Sequence, residues 1–96
     1  MLYLISYDVS TLTPSGRKRL RHVARECENY GIRVQNSVFE CELTYEVFLM
    51  LKHRLFQLID PTEDSLRFYP LGKQGRDKVT HLGIKKPLDV TAPLIL

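Results

Sequence analysis

Two groups of residues in this chain have types and spacings that could do chemistry. Asp8 follows the apolar run Leu2 to Tyr7. A carboxylate at the C-terminal end of a buried strand is held by rigid backbone and points into the loops where ligands gather. An Asx turn opening the loop would use the same side chain. One carboxylate is a poor metal site. A Mg²⁺ ion keeps several waters and takes one or two carboxylates, so a two-fold dimer that brings both Asp8 copies to one axis would complete it. The second group is basic: Arg17, Lys18, Arg19, Arg21 and Arg25, with Arg33 beyond Gly31. At ~100° per residue, Arg17, Lys18, Arg21 and Arg25 fill an arc of about 100° on one helix face. Arginine forks match phosphate oxygens, and such a ridge can follow a nucleic-acid backbone. A solvated helix face gives the same pattern. Arg19 lies off the arc and must serve the loop of Asp8 instead, where its charge could offset a developing phosphorane.

Other chemistries find little support. His22, His53 and His81 share no close spacing, and no Ser/His/Asp order stands out. Cys27 and Cys41 show no CxxC or Cys/His pattern, which signals neither a disulfide framework nor zinc. Both sit among apolar neighbours, as buried thiols in a reducing cytoplasm do. Tyr3, Tyr7, Phe39, Phe68 and Tyr69 could stack bases, but the Lys/Arg-Gly-aromatic run of an RNA-recognition module is missing, so they read as core or dimer-interface aromatics. The opening apolar run is far short of the ~18 residues of a membrane span.

These residues need a scaffold, and its size is bounded. The 96 residues, 44% hydrophobic, suffice for one domain. A core this small gains from pairing with a second copy, so a homodimer is expected. Lys and Arg total 14 against 11 Asp and Glu, a net charge of +3. The acidic residues concentrate between positions 34 and 66, which leaves two basic zones on either side. Such a distribution suits a protein that turns one face to phosphate.

The elements follow from periodicity. Leu2 to Tyr7 reads as a central strand. Thr13-Pro14 supplies an N-cap and a first-turn proline, after which Leu20, Val23, Ala24 and Cys27 form a core-facing stripe and Gly31 closes the helix. Ile32 to Leu43 is β-like, either a tight hairpin about Asn36-Ser37 or one bent strand, with Glu40 and Glu42 on its wet side. Thr44 caps a second helix whose apolar face is Val47, Phe48, Leu51, Leu55, Leu58 and Ile59, ended by Asp60-Pro61. Ser65 to Leu71 returns to strand. Gly72 to Arg76 reads as a mobile basic loop, and Val79 to Ile84 as a last short strand. The order βαββαβ with an additional C-terminal strand is the α+β, ferredoxin-like sandwich. One domain over 1–84 and a tail over 85–96 are expected.

In order and spacing, LYLISYDVS, YGIRVQNSVFECEL and DSLRFYPLG resemble the signature blocks of the CRISPR-associated protein 2 family, the small subunit of the spacer-acquisition machinery. The ending HLGIKKPLDVTAPLIL is similar to the tail of the branch accompanying Dvulg-type (I-C) systems. The resemblance implies a cytoplasmic homodimer in which the last strand crosses to extend the partner's sheet, with the tail at the dimer interface. It also implies a partner integrase subunit, and a Mg²⁺-dependent (or other divalent-metal) endonuclease acting on single-stranded RNA or double-stranded DNA. Residue by residue, the family's metal-binding aspartate falls on Asp8, its functional arginines on Arg17, Arg19 and Arg33, and its Ser and Phe on Ser37 and Phe39. The loop VSTLTPSG lacks the acidic residues many members carry, which counts against two-metal chemistry, and Asn36 stands where an aromatic is common. A catalytically inactive DNA-binding adaptor bridging integrase subunits, and a toxin-like ribonuclease on the same fold, are the alternatives.

Overall fold

The computed structural model describes residues 1–80. Strand β1 (Leu2–Asp8) is followed by helix α1 (Pro14–Glu28), strands β2 (Ile32–Gln35) and β3 (Val38–Glu42), helix α2 (Tyr45–Leu58), strand β4 (Ser65–Gly72) and a 3-10 turn (Gly75–Lys78). The four strands form one antiparallel sheet in the order β2-β3-β1-β4, the split βαβ arrangement expected from the sequence. Residues 32–43 make a hairpin with a turn at Asn36-Ser37 and a register shift between Arg33 and Gln35. The last strand expected over Val79 to Ile84 falls, beyond Thr80, outside the described residues, as do His81, the tail from Lys85 and any pairing with a partner.

Strand alternation builds the core. Tyr3, Ile5 and Tyr7 of β1 share a face with Phe39 and Cys41 of β3, and there Val23 and Cys27 of α1 and Phe48, Leu51 and Leu55 of α2 pack onto them. Tyr3 stacks on Phe48 with ring centroids 4.0 Å apart. The reverse face of β1 is half-buried at Leu4 and Ser6. It is fully covered at Leu2, where Gly75 of the 3-10 turn closes over the side chain. The stretch expected as a mobile basic loop therefore turns at Gly72 (φ 88°) and packs back on the sheet. Pro70 sits on the outer strand β4, at the register shift beside Tyr3, where a missing N–H breaks no ladder. Glu40 departs from its expected wet side and is only 7% exposed. It lies opposite Leu4 on one neighbouring strand and Ile32 on the other, and both flank it.

Both helices start on the caps read from the sequence. The Thr13 hydroxyl accepts from the Gly16 N–H and the Thr44 hydroxyl from the Val47 N–H. Past the end of α1, Gly31 lies so close to β3 that a Cβ would collide with Cys41 Sγ and the Glu40 carbonyl. Gly31→Ala should therefore destabilise the protein by about 1–3 kcal/mol through overpacking, read as a lower urea midpoint at unchanged m-value; an unchanged midpoint would contradict the close approach. Burial pushes the Cys27 thiol up to about 12 and that of Cys41 up to about 11. At pH 8 a thiol-specific disulfide reagent should leave both unmodified until the protein unfolds, whereas stoichiometric reaction within mixing would contradict their burial.

Candidate nucleic-acid and metal site

The C-terminal end of β1 is where the chemistry-bearing residues meet. Asp8 is exposed between the buried Tyr7 and Val9 and pairs in register with Ser65, the first residue of β4. On the other side, the Tyr7 N–H donates to the Ser37 carbonyl at 3.1 Å, so the hairpin turn lies beside the same strand end. Arg33 then lies over the ring of the fully buried Phe39, 5.2 Å from its centroid, while its Nη2 donates to Glu28 at 3.0 Å. Burial raises the pKa of the neighbouring Tyr7 phenol, and the Arg33 charge works against that rise. Of the residues singled out by sequence, Asp8 and Arg33 present polar groups outward. Ser37 contributes its carbonyl as a strut, and Phe39 is core under Arg33.

The loop after Asp8 is clamped on both sides of its backbone. A Cβ on Gly16 would overlap the Ser10 carbonyl, so α1 closes onto the loop only because residue 16 has no side chain. From the opposite side, Asp64 Oδ1 accepts from the Ser10 N–H at 3.0 Å. Farther along the loop, Arg17 Nη1 donates to the Thr11 carbonyl at 3.1 Å, which ties that arginine to the loop after Asp8 while leaving it exposed. Lys18, Arg21 and Arg25 are exposed along the same helix and make no ion pair with a described residue. The ridge is therefore present as an open cationic surface.

Asp64 is the residue at this end of the sheet that the sequence did not single out. Its side chain is fully buried and accepts from four donor groups: Ser10 N–H, Asp60 N–H at 2.9 Å, Arg19 Nε at 2.8 Å and Arg19 Nη2 at 3.3 Å. Arg19 also donates from Nη1 to Ser15 Oγ at 2.9 Å and from Nη2 to Glu63 at 3.1 Å. Arg19 does serve the loop of Asp8, as its position off the ridge suggested, but through Asp64. The only sequence signal was an acid just ahead of a strand, at the start of the DSLRFYPLG block, and nothing local ties it to residue 19.

Asp8 suits a hard cation. No described residue donates to its carboxylate, and the described residues form no cluster of three or more His, Cys, Asp or Glu. A cation there keeps a largely aqueous shell, which Mg²⁺ prefers. The exposed part of α2 is different in kind. Leu49, Phe56, Leu66 and Phe68, with Lys52 and His53 among them, line a groove of about 650 Å³ beside β4. No helix among the described residues is long and apolar enough to cross a membrane.

Burial raises the Asp64 carboxyl, but the hydrogen bonds from Arg19, Asp60 N–H and Ser10 N–H outweigh it and hold the group below its ordinary 3.8. Its stabilising contribution is therefore complete above the unfolded value and is lost as pH falls through the lower native one. Asp64→Asn should flatten the dependence of unfolding free energy on pH below about 4 relative to wild type. Equal slopes in acid for the two proteins would overturn this account of the carboxylate.

Comparison with known proteins concerns the chain as a whole. The family model for CRISPR associated protein Cas2 matches residues 1–79. A CRISPR-associated endonuclease Cas2 of Halalkalibacterium halodurans is 53% identical over 99% of this chain and 99% of its own. A CRISPR-associated endoribonuclease Cas2 of Chlorobaculum tepidum is 50% identical over 100% of both chains. Among solved structures, Streptococcus pyogenes Cas2 at pH 6.5 superposes with a TM-score of 0.77 at 59% identity, covering 86% of this chain and 100% of that one.

Proposed function

The chain belongs to the CRISPR-associated protein Cas2 family, and from that membership we propose that it binds nucleic acid as a homodimer during spacer acquisition and hydrolyses phosphodiesters with a divalent metal held at Asp8. The observation that carries this reading is an exposed carboxylate on a clamped strand end, beside an open ridge of Arg17, Lys18, Arg21 and Arg25. The endonuclease and endoribonuclease names of its relatives support the same chemistry.

Asp8 of each protomer is the ligand we assign to Mg²⁺, which when bound supplies a polarised phosphate oxygen and a water of lowered pKa. The protein supplies position and charge. Arg17, tethered to the Thr11 carbonyl, takes one phosphate beside Asp8, and Arg33, supported by the Phe39 ring and Glu28, takes another. Lys18, Arg21 and Arg25 follow the backbone away from the reacting bond. The Ser37 carbonyl and the Phe39 ring keep the hairpin against β1 and set the height of Arg33. With one carboxylate per chain and no acidic cluster among the described residues, turnover is slow.

A second reading has its own observation. A ridge whose lysine and arginines make no ion pair with a described residue, and an Asp8 that belongs to no acidic cluster among the described residues, suit a non-catalytic adaptor that holds DNA between integrase subunits. The two readings separate in one set of measurements on the purified dimer with its cognate integrase. Asp8→Asn should abolish Mg²⁺-dependent cleavage of RNA and DNA while dimer mass and DNA binding persist; cleavage at the wild-type rate would overturn the nuclease. If spacer integration survives in that variant, the adaptor role suffices for acquisition. Replacing Arg17, Arg21 and Arg25 together by Ala should make the log–log salt dependence of DNA binding shallower by about 0.9 for each phosphate that the ridge no longer neutralises. An unchanged slope would exclude the ridge as the DNA surface.

A further inference from the structure

We propose that Asp64 is a positioning residue for the loop that carries Asp8, and that Arg19 serves the site through Asp64 without contacting phosphate. The assignment of Asp8 as the site is the reading given above, on which this rests. It departs from what resemblance implies for Arg19, which places that residue among the arginines acting on nucleic acid.

Four of the five N–H donors of Arg19 are already taken. Its Nε and Nη2 hold both oxygens of Asp64, Nη2 also reaches Glu63, and Nη1 reaches Ser15. The side chain is only 17% exposed, and Asp64 and Glu63 together bring two negative charges against its one positive charge. A phosphate approaching this group meets net negative charge and no open fork. Arg17 differs on every point, since it is exposed and bound only to a neutral carbonyl.

Asp64, in turn, has the contacts needed to fix the Asp8 loop. It holds the Ser10 N–H, two residues beyond Asp8, while Gly16 takes the Ser10 carbonyl side. Tyr7 and Val9 are buried on either side of Asp8, so a fixed Ser10 leaves the carboxylate one direction to face. The Asp60 N–H bond closes the loop that leads from α2 into β4, whose first residue pairs with Asp8. Both backbone segments next to Asp8 thus end on one buried carboxylate, and Arg19 keeps that carboxylate ionised and oriented.

The experiment compares full-length dimers of wild type, Arg19→Gln, Arg19→Lys, Asp64→Asn, Arg17→Gln and Asp8→Asn, each confirmed as folded by circular dichroism. Three readouts are taken: amide exchange at Ser10, the salt dependence of binding to a short DNA duplex, and the Mg²⁺ concentration for half-maximal cleavage. Arg19→Gln should leave the salt slope as in wild type, whereas Arg17→Gln should make it shallower by about 0.9. Ser10 amide protection should fall by about tenfold in Arg19→Gln and Asp64→Asn, with partial recovery in Arg19→Lys. The Mg²⁺ requirement should rise in the same two variants. A salt slope shallower by about 0.9 in Arg19→Gln, with Ser10 protection intact, would make Arg19 a phosphate ligand and overturn the proposal. Unaltered Ser10 protection in Asp64→Asn would overturn it as well. If Asp8→Asn cleaves like wild type, the nuclease reading fails, and the exchange and salt measurements still decide the role of Arg19.

Discussion

A buried carboxylate that must be satisfied from every side organises this end of the molecule. Asp64 has no exposed side-chain surface, and a carboxylate in such a place is tolerated only when paired and hydrogen-bonded. Its donors come from three separate parts of the chain: the loop after β1, helix α1 and the turn before β4. None of the three can move far without leaving a charge unpaired in the interior, so their relative placement is set together. The position of Asp8 is a consequence, since it lies between β1, whose register the sheet fixes, and Ser10, whose N–H the carboxylate fixes.

The same logic of close approach governs α1. At its start Gly16 lets the helix touch the Ser10 carbonyl, and past its end Gly31 lets the chain touch β3. Between these points Val23 and Cys27 pack into the core. A helix pinned at both ends and along one face has no freedom to rotate, so its outward ridge keeps a constant bearing on the strand end that carries Asp8. The two functional groups found first in the sequence are in this way parts of one rigid frame, although they come from different elements.

Much of that frame was legible from local signals. Caps at Thr13 and Thr44, the stripe through Leu20, Val23, Ala24 and Cys27, and the alternation in β1 and β3 each depend on residues within a turn or two of one another. They gave the order of elements and the ridge. What stayed hidden depended on distance in sequence. Residues 19 and 64 are 45 positions apart, and the two ends of that ion pair look like ordinary surface charges until the fold joins them. The choice between hairpin and bent strand over 32–43 stayed open because Asn36-Ser37 suits a turn without requiring one. Glu40 departs from expectation for a related reason: alternation assigns a side chain to a face, but neighbours such as Leu4 and Ile32 decide whether that face is wet.

The two helices also divide the surface by chemistry. On α1 the outward residues Arg17, Lys18, Arg21 and Arg25 are cationic, whereas α2 exposes the apolar Tyr45, Leu49, Met50 and Phe56 together with Lys52, His53 and Arg54. Phosphate would gain from the first surface through counterion release and charge-assisted hydrogen bonds, whereas on α2 Lys52 already lies over the Phe48 and Phe68 rings, 5.9 and 6.0 Å from their centroids. The clamped loop of Asp8 meets the same helix that carries this cationic ridge. The ion pair between Arg54 of α2 and Glu26 of α1 engages a further basic residue of α2. The two helices thus differ in how their charge is held: the α1 ridge makes no ion pair with a described residue, whereas Arg54 and Lys52 of α2 are engaged by Glu26 and by the Phe48 and Phe68 rings.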